Sequence, residues 1–298
     1  MKSILIQVAF FVFAISGGFA IADCPSADVT GDCIVDFKDF ALMASQWLTE
    51  GIPVDPCSMR WVDINDPGVP GHESFNGQMS KYETTNAQYC QFLNDAKASG
   101  DITIDGNDVL GANGLNIGVD FVGLIYYDLA GPGSTYDGAT NGGAARINYS
   151  GGVFTVDSGF NYHPVTHVNW YGSMAFCNYY GYRLPTEWEW QAVADYNGNY
   201  AYGCGPNINN SIANYRNSTH PDGTTVVGSF GTYGYGMCDM AGNAWEWTSS
   251  CYYSGCTSGY RVVRGGCWRF SGGYCTVSDG FSTDPNGAGN YLGFRVCR

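Results

Sequence analysis

The segment RGGCWRFSGGYC, residues 264–275, places two cysteines eight positions apart in a glycine-rich stretch. A pair of thiols can bind copper(I) as thiolates, close a disulfide, or supply a redox nucleophile. Which of these applies to Cys267 and Cys275 depends on the compartment in which the chain folds. It also depends on the elements that position the loop, so the rest of the sequence decides whether this segment belongs to an enzyme.

The first 22 residues predict export. Lys2 precedes an apolar stretch from Ile4 to Ile15, which is followed by small residues and the Ala20-Ile21-Ala22 site. This is the layout of a secretory signal peptide with cleavage near Ala22, too short for a membrane span. We therefore expect a secreted or extracytoplasmic protein without a membrane span. All 12 cysteines follow Ala22, and an even number in an oxidising compartment favours disulfides over free thiols.

The composition restricts the partners. The formal net charge is −14, and it becomes −15 without residues 1–22, because Lys2 is the only charged residue there. Such a surface repels nucleic acids and anionic membranes and suits cations. Only 13% of residues are charged, whereas glycine (42) and tyrosine (22) are abundant. This composition predicts a loop-rich domain held by aromatic contacts, disulfides and metals. The roughly 275 residues that follow the signal peptide suit one large domain, or a large one with a small appendage.

A calcium loop is predicted near the amino terminus, in the sequence DVTGDCIVDFKD at residues 28–39. Calcium takes six to eight hard oxygen ligands, and oxygens at loop positions 1, 3, 5, 7, 9 and 12 wrap around one ion. The following sequence FKDFALMASQWL has the apolar spacing of an amphipathic helix. The predicted ligands are Asp28, Thr30, Asp32, the carbonyl of Ile34, Asp36 and Asp39.

This loop and helix resemble one half of a dockerin repeat, with Cys33 where glycine is usual. Only one repeat is present, whereas dockerins have two. The resemblance implies an EF-hand-like helical module at residues 23–57 and a cohesin-like or cell-surface partner.

Beyond residue 58 the pattern predicts helices separated by loops. Thr85 stands three residues before Gln88, which is a capping-box signal, and Tyr89, Phe92, Leu93 and Ala96 then share a helical face. The sequence HPVTHVNW predicts a strand, followed by a helix that ends at Gly181. A further helix is capped by Thr186 with Glu189. Residues 99–161 predict loops and small strands, and the alternation in NYLGFRVCR predicts a half-buried final strand.

These segments resemble the formylglycine-generating enzymes, also called sulfatase-modifying factors. The resemblance runs through residues 58–298 and implies an α+β, C-type-lectin-like fold with little regular secondary structure, two helices and bound calcium. Fold membership does not itself imply activity. The segments that carry it, in family order, are KYETTNAQYCQFLN, HPVTHVNWYGSMAFCNYYGYRLPTEWEW, YGYGMCDMAGNAWEWTS, RVVRGGCW and GFRV.

The resemblance also implies two calcium sites and one disulfide. The first site would use Asn214 and Asp222 side chains with carbonyls of Tyr215 and Thr224. The second would use Asn243 and Glu246, with carbonyls of Ala241 and Ala244 nearby. The alternative is that these side chains hydrogen-bond their own turns. The implied disulfide joins Cys177 to Cys297, although Cys297 lies one residue beyond the family position and Cys90 is a competing partner.

Active family members are similar in a GGS-x-x-C-x-x-x-x-C loop whose two thiolates bind copper. Here Cys267 replaces the serine, Phe270 replaces the first cysteine, and Cys275 keeps the second. Phenylalanine donates no lone pair, so copper chemistry would need Cys267 as the second ligand. The alternatives are a Cys267–Cys275 disulfide or pairing of each with another cysteine.

Three functions follow. The first is a non-catalytic binding or accessory module for a sulfatase peptide or glycan, stabilised by calcium. The second is a copper-dependent oxidase that converts a sulfatase cysteine to formylglycine through Cys275 and Cys267. The third is a purely structural surface protein.

Overall fold

The computed structural model of the chain describes residues 58–68, 74–112, 121–129, 144–216, 223–253 and 259–298. The predicted signal peptide, the calcium loop with its ligands Asp28, Thr30, Asp32, Ile34, Asp36 and Asp39, and the candidate ligand Asp222 lie outside these ranges. Among the described residues, no helix combines the length and apolarity needed to cross a membrane.

Short helices and short strands alternate along the described ranges. The helices are α1 (Asn86–Ser99), α2 (Trp170–Tyr180) and α3 (Glu187–Ala194), one more than the two that the resemblance implies. A short 3-10 helix covers Gly272–Cys275. The strands are β1 (Trp61–Asn65), β2 (Asn76–Ser80), β3 (Ile102–Asp105), β4 (Asp108–Gly111), β5 (Ile125–Asp128), β6 (Ile147–Ser150), β7 (Val153–Val156), β8 (Trp245–Cys251), β9 (Arg261–Arg264), β10 (Gly280–Thr283) and β11 (Leu292–Phe294).

The helix caps predicted from the sequence are confirmed. The Thr85 hydroxyl accepts from the Gln88 backbone N–H at 3.3 Å, and the Gln88 side chain accepts from the Thr85 N–H at 2.9 Å. Thr186 and Glu189 repeat this reciprocal arrangement at the start of α3. Such a box satisfies backbone donors that the first helical turn leaves without partners. Helix α2 ends at Gly181, whose φ of 71° is the left-handed conformation that glycine adopts without strain.

The largest sheet positions the candidate site. Its strand order is β10-β9-β8-β11, with β11 parallel to β8 and the other neighbours antiparallel. The segment rich in cysteine and glycine runs from the end of β9 towards β10. The remaining described sheets are small: β1-β2, β3-β4-β5 and β6-β7.

The core forms where α1 meets α2 and the last strand. The predicted apolar face of α1, comprising Tyr89, Phe92, Leu93 and Ala96, is fully buried. The ring of Tyr89 lies 6.0 Å from that of Phe176 in α2 and 6.0 Å from that of Phe294 in β11. Buried aromatic side chains thus supply much of the apolar area in a fold with little regular structure.

Two strand predictions are wrong in detail. Residues 163–168 form no strand, only isolated bridges from Pro164 to Thr85 and from Val168 to Tyr127. Pro164 has no N–H to donate, and His167 has a φ of 61°, which interrupts extended backbone.

The final strand is fully buried rather than half-buried. All three of its residues, Leu292–Phe294, are buried. Strand β8 pairs with it along one edge, and the Val165 carbonyl packs closely against Gly293. A Cβ on Gly293 would lie 2.7 Å from that carbonyl oxygen, so only glycine fits there.

The expected Cys177–Cys297 disulfide is not present in the structure, where both cysteines are free and buried. The Cys297 thiol points to the Arg183 carbonyl, with the sulfur and oxygen 3.6 Å apart. Burial raises the pKa of the Cys177 thiol, and neighbouring Cys297 raises it further. The two sulfurs are therefore neighbours without a bond.

Candidate functional site

The loop that carries the two cysteines, residues 264–276, is called the thiol loop below. It leaves β9 through Gly265 and Gly266, which have φ values of 96° and 75°. These left-handed conformations turn the chain back towards the 3-10 helix. A Cβ on Gly266 would lie 2.5 Å from the Cys275 sulfur, so glycine is required for the close approach of backbone and thiol.

Cys267 and Cys275 are fully buried, free thiols. Burial raises the pKa of Cys267 to about 12, although the backbone N–H groups of Arg269 and Phe270 partly offset the increase. Burial also raises the pKa of Cys275, and neighbouring Cys267 and Cys204 raise it further. A protonated, buried thiol is a poor nucleophile and a poor metal ligand. The loop therefore brings the two predicted cysteines close together but holds them in an inert form.

Phe270 occupies the position of the first family cysteine. Its ring packs against Tyr274 at 5.7 Å and Tyr291 at 5.8 Å between ring centroids, and its carbonyl accepts from the Arg216 N–H at 2.9 Å. The side chain is thus part of an aromatic contact on the loop. No sulfur is available at that point of the chain.

The thiols of the loop do not fit copper. Copper(I) needs two deprotonated sulfurs at an accessible position, because oxygen and a substrate cysteine must reach the metal. Cys267 and Cys275 have no exposed surface, and burial disfavours both thiolates. The thiol loop therefore lacks the two accessible thiolates that a copper site of the family kind requires.

Sequence reasoning gave no role to Cys204, which the structure places next to Cys275. Both belong to a small apolar cluster with Ala213 and Ala241. Cys204 is 6% exposed, and burial raises the pKa of its thiol to about 11. No spacing signal identifies this residue, because 71 positions separate it from Cys275 in the sequence.

Beside the thiol loop lies a second cluster, called the buried polar network below, formed by Glu83, Trp190, Asp239, Asn243, Glu246 and Arg295. Glu246 and Arg295 are both fully buried and form a two-pronged ion pair, with Arg295 Nε and Nη2 at 2.6 Å and 2.7 Å from the two carboxylate oxygens. The Trp190 indole N–H donates to the same carboxylate at 2.6 Å.

Asn243 is the centre of the hydrogen bonds in this network. Its backbone φ of 62° is unusual for a residue other than glycine. Its side-chain oxygen accepts from the Thr225 N–H at 2.8 Å and from Asn214 Nδ2 at 3.3 Å. Its amide nitrogen donates to Glu83 at 2.6 Å. The side chain is therefore fully engaged within the protein.

Glu83 was not predicted from the sequence, although it lies in the KYETTN segment. Besides the Asn243 amide, its carboxylate accepts from the Ala244 N–H at 2.9 Å. Burial raises the pKa of Glu83 well above its usual range, and the neighbouring carboxylates of Asp239 and Glu246 raise it further. Burial likewise raises the pKa of Asp239 to about 6. One buried arginine thus stands among three buried carboxyl groups.

The residues implied for the second calcium site do not fit a cation. The Asn243 oxygen is occupied by the Thr225 and Asn214 donors. Both Glu246 oxygens accept from Arg295, so a divalent ion would have to displace a buried guanidinium. Ala244 donates its N–H to Glu83, which fixes the turn without a metal. The side chains of Asn243 and Glu246 therefore bond residues far along the chain, and not their own turns as the alternative had it.

The first implied calcium site is only partly described. Asn214 donates from Nδ2 to the Gly223 carbonyl at 3.1 Å, and the Thr224 hydroxyl lies 3.1 Å from His163 Nδ1. The ring of Tyr215 packs against the apolar cluster of Cys204 and Cys275. Asp222 lies outside the described residues, so calcium at this position stays a prediction. Among the residues described, no group of three or more His, Cys, Asp or Glu side chains has a metal-binding arrangement.

Comparison with known proteins identifies the family. Residues 72–298 match the family described as "Sulfatase-modifying factor enzyme 1-like domain". Among curated proteins, serine/threonine-protein kinase pkn1 of Chlamydia caviae is 33% identical over 171 residues, covering 52% of this chain and 27% of that protein. The chain therefore spans about a quarter of that relative's length.

Two further relatives carry formylglycine names. The formylglycine-generating enzyme of Mus musculus is 29% identical over 171 residues, covering 45% of this chain and 43% of that protein. The inactive C-alpha-formylglycine-generating enzyme 2 of Bos taurus is 31% identical over 149 residues, covering 44% of this chain and 49% of that protein. Among solved structures, CarF superposes on this chain with a TM-score of 0.52 at 19% sequence identity, covering 80% of this chain and 96% of CarF. At this level of identity the likeness supports the fold alone.

Proposed function

Because the chain belongs to the family of sulfatase-modifying factor enzyme 1-like domains, we propose that it is an exported, non-catalytic binding or accessory module of that family. The observation that carries the proposal is Phe270. Its ring takes the position of the first copper cysteine and packs on Tyr274 and Tyr291. A relative named as an inactive formylglycine-generating enzyme supports the idea that the fold persists without the chemistry.

The deciding experiment measures formylglycine in a Cys-x-Pro-x-Arg peptide incubated with the purified protein, copper and oxygen. We expect no conversion, and we expect copper(I) to bind no more tightly than to Cys275→Ser. Phe270→Cys restores the five-residue spacing of the family pair and should raise copper(I) affinity. Conversion by the unaltered protein would favour the oxidase alternative. Cys267→Ser should then abolish turnover, since Cys267 would have to be the second thiolate.

Two exposed tyrosines at the end of β8 support a contact surface for a peptide or glycan. Tyr252 and Tyr253 are 49% and 54% exposed, their ring centroids lie 5.0 Å apart, and the Tyr252 N–H donates to the carbonyl of Tyr260. Exposed aromatic rings with polar tips suit sugar and peptide contacts. We propose this tyrosine group as the contact surface of a lectin-like module.

A glycan and peptide array tests that surface. Tyr252→Ala with Tyr253→Ala should lose any ligand that the unaltered protein retains. Phe281→Ala is the matched control, because Phe281 is 56% exposed on β10 and lies outside the tyrosine group. No ligand for the unaltered protein would instead favour a purely structural surface protein, and equal loss in both variants would reject the tyrosine group as the contact surface.

Calcium and the amino-terminal module belong to the proposal as well. The ligand set in residues 28–39 and the set around Asn214 support calcium binding through clustered hard oxygens. The single dockerin-like repeat supports attachment to a cohesin-like or cell-surface partner. Chelation of the full chain should lower its melting temperature, and added calcium should restore it. An unchanged transition in chelator would remove calcium from the proposal and leave the non-catalytic assignment in place.

A further inference from the structure

A cavity of about 260 Å³ lies between α1 and α2, and it is called the helix cavity below. Residues of both helices, of the turn that follows α2 and of the segment 58–59 line it. Pockets that hold drug-sized ligands measure roughly 300–1,000 Å³, so the helix cavity suits one side chain or a molecule of similar size. It shares no residue with the thiol loop, the buried polar network or the tyrosine group at the end of β8.

The polar wall of the helix cavity comes from α1. Gln88, Gln91 and Asp95 are spaced three and four positions apart, which places them on one side of the helix. The Gln88 side chain accepts from the Thr85 N–H at 2.9 Å and donates to the Ser58 carbonyl at 3.1 Å. It therefore belongs to the helix cap and fixes the segment 58–59 at the edge of the cavity.

Among the residues that the structure describes, Asp95 is the only charged one that lines the helix cavity. Its half-buried carboxylate accepts from Gln91 Nε2 at 2.7 Å and from the Tyr180 hydroxyl at 3.4 Å. Both donors are neutral, and no basic side chain in the described ranges forms an ion pair with Asp95. A carboxylate has about four acceptor positions, so its charge and two of these positions remain for a ligand.

Three aromatic rings form the wall beside this carboxylate. The ring centroids of Phe176 and Tyr180 lie 5.0 Å apart, and those of Tyr180 and Tyr182 lie 5.9 Å apart. Phe176 is buried, whereas the two tyrosines are half-buried. A cation within about 6 Å of such a ring is attracted to the negative potential of its face. Because the Tyr180 hydroxyl contacts Asp95, ring and carboxylate act on the same small volume.

We propose that the helix cavity binds an alkylammonium group, the cation that a lysine side chain or a small primary amine carries. An ammonium has three N–H donors and no acceptor, which matches the open acceptor positions of Asp95. Its methylene groups would pack on Met59 and the aromatic wall, as the stems of lysine side chains do on apolar surfaces. The formal net charge of −14 draws cations towards the protein. An anion would meet no basic residue in the described lining.

The proposal goes beyond the proposed function and does not depend on it. The helix cavity is separate from Phe270, so an alkylammonium site stands whether or not the protein makes formylglycine. It is also separate from Tyr252 and Tyr253, so loss of the tyrosine surface would leave it in place.

The experiment follows the Met59 methyl group, which lines the helix cavity, by NMR of the full chain carrying carbon-13-labelled methionine methyls. The probe is Nα-acetyl-lysine methylamide. Its control is Nα-acetyl-norleucine methylamide, which keeps the aliphatic chain and lacks the ammonium. The Met59 signal, assigned with Met59→Leu, should shift with the lysine probe in the millimolar range. The norleucine probe should bind about fivefold more weakly or less. Met237 and Met240 pack in another apolar cluster, and their signals should not move.

Variants of the wall test the two contacts separately. Asp95→Asn keeps the size of the side chain and removes its charge, so it should weaken the lysine probe about threefold or more and leave the norleucine probe unchanged. Tyr180→Leu removes one ring and should weaken the lysine probe by a similar factor. Asp157→Asn is the matched control for net charge, because Asp157 lies at the surface opposite Arg146, and it should keep the affinity.

Butylamine separates the two sources of the cation. Tighter binding of the lysine probe than of butylamine assigns the helix cavity to a peptide side chain, and equal binding assigns it to small amines. Equal binding of the lysine and norleucine probes would overturn the proposal, as would a Met59 signal that the lysine probe does not move. Equal affinity in Asp95→Asn and Asp157→Asn would also overturn it. Unchanged Met237 and Met240 signals in each variant show that a loss of binding does not come from unfolding.

Discussion

The thiol loop and the buried polar network are neighbours, joined by backbone hydrogen bonds such as the one from the Trp268 N–H to the Asn243 carbonyl. They differ in whether their side chains keep the partners and atoms that each region needs. In the network, Glu246, Arg295 and Asn243 have partners for nearly every polar atom. In the loop, Phe270 stands where the family has its first cysteine, and Cys275, at the second position, is a buried thiol. A fold can therefore keep the interactions that hold its backbone while a reactive position beside them is lost, because the two depend on different atoms.

The largest expected effect comes from breaking the network at its cation. Arg295→Met leaves the Glu246 carboxylate buried without its charge partner, next to Glu83 and Asp239. Removing one partner of a buried ion pair costs about 3–5 kcal/mol, and we expect that loss in the free energy of unfolding measured in urea. The control is Arg183→Met, since Arg183 pairs with Glu189 at 2.7 Å but is 47% exposed. It should cost less than about 1 kcal/mol.

A charge-neutral repair sharpens this test. Arg295→Met combined with Glu246→Met should recover much of the stability, because both buried charges are then removed. If Arg295→Met alone costs no more stability than Arg183→Met, the buried ion pair of Arg295 and Glu246 does not stabilise the fold.

The next largest effect concerns pH. The pKa of Asp239 is raised by burial to about 6 in the folded protein, above its ordinary value of 3.8. The folded state therefore binds the proton more tightly, and this group's contribution to stability increases as pH falls from about 6 to about 4. Asp239→Asn should raise stability at pH 7 by about 2 kcal/mol, with a smaller gain at pH 4.5. The Gly228 N–H, which bonds Asp239, limits the gain.

Asp157→Asn is the control for the gain at pH 7, since Asp157 lies at the surface opposite Arg146 at 3.5 Å. It should change the free energy of unfolding at pH 7 by less than about 0.5 kcal/mol. An Asp239→Asn variant that is equally or less stable at pH 7 would show that the carboxylate is needed there in its charged form.

The loop should respond more weakly than the network. Phe270→Ala removes ring contacts with Tyr274 and Tyr291 at a partly buried position, which should cost about 1–2 kcal/mol in thermal unfolding. Phe281→Ala, at a 56% exposed position, should stay within about 0.5 kcal/mol of the unaltered protein. If Phe270→Ala lowered the free energy of unfolding by more than Arg295→Met does, the thiol loop would stabilise the fold more than the buried polar network.

The smallest expected effect is at the helix that brings Trp190 to Glu246. Thr186→Ala removes the cap of α3 and should cost about 1 kcal/mol. Thr155→Ala, at an exposed position of β7, should cost less. If Thr186→Ala changes the tryptophan emission of the unaltered chain but not that of Trp190→Phe, the cap helps to position the Trp190 indole. An unchanged spectrum limits the cap to local helix stability.

The sequence predicted the local features well because their causes are local. The capping boxes at Thr85 and Thr186 and the stop at Gly181 depend on residues within one helical turn. The ordered motifs identified the family now matched over residues 72–298. The strand predicted at HPVTH failed because the left-handed conformation of His167 has no sequence signal.

By itself, the sequence determined the helix caps at Thr85 and Thr186, the helix end at Gly181 and the family. It also determined the loss of a sulfur at Phe270, since each of these depends on residue type and short spacing. Only the tertiary structure decided that Cys204 is a neighbour of Cys275, that Glu83 belongs to the polar network, and that Arg295 occupies both oxygens of Glu246. The physical reason is that these contacts join residues 49 to 160 positions apart. Their geometry is set by the packing of loops, which no local pattern in the chain encodes.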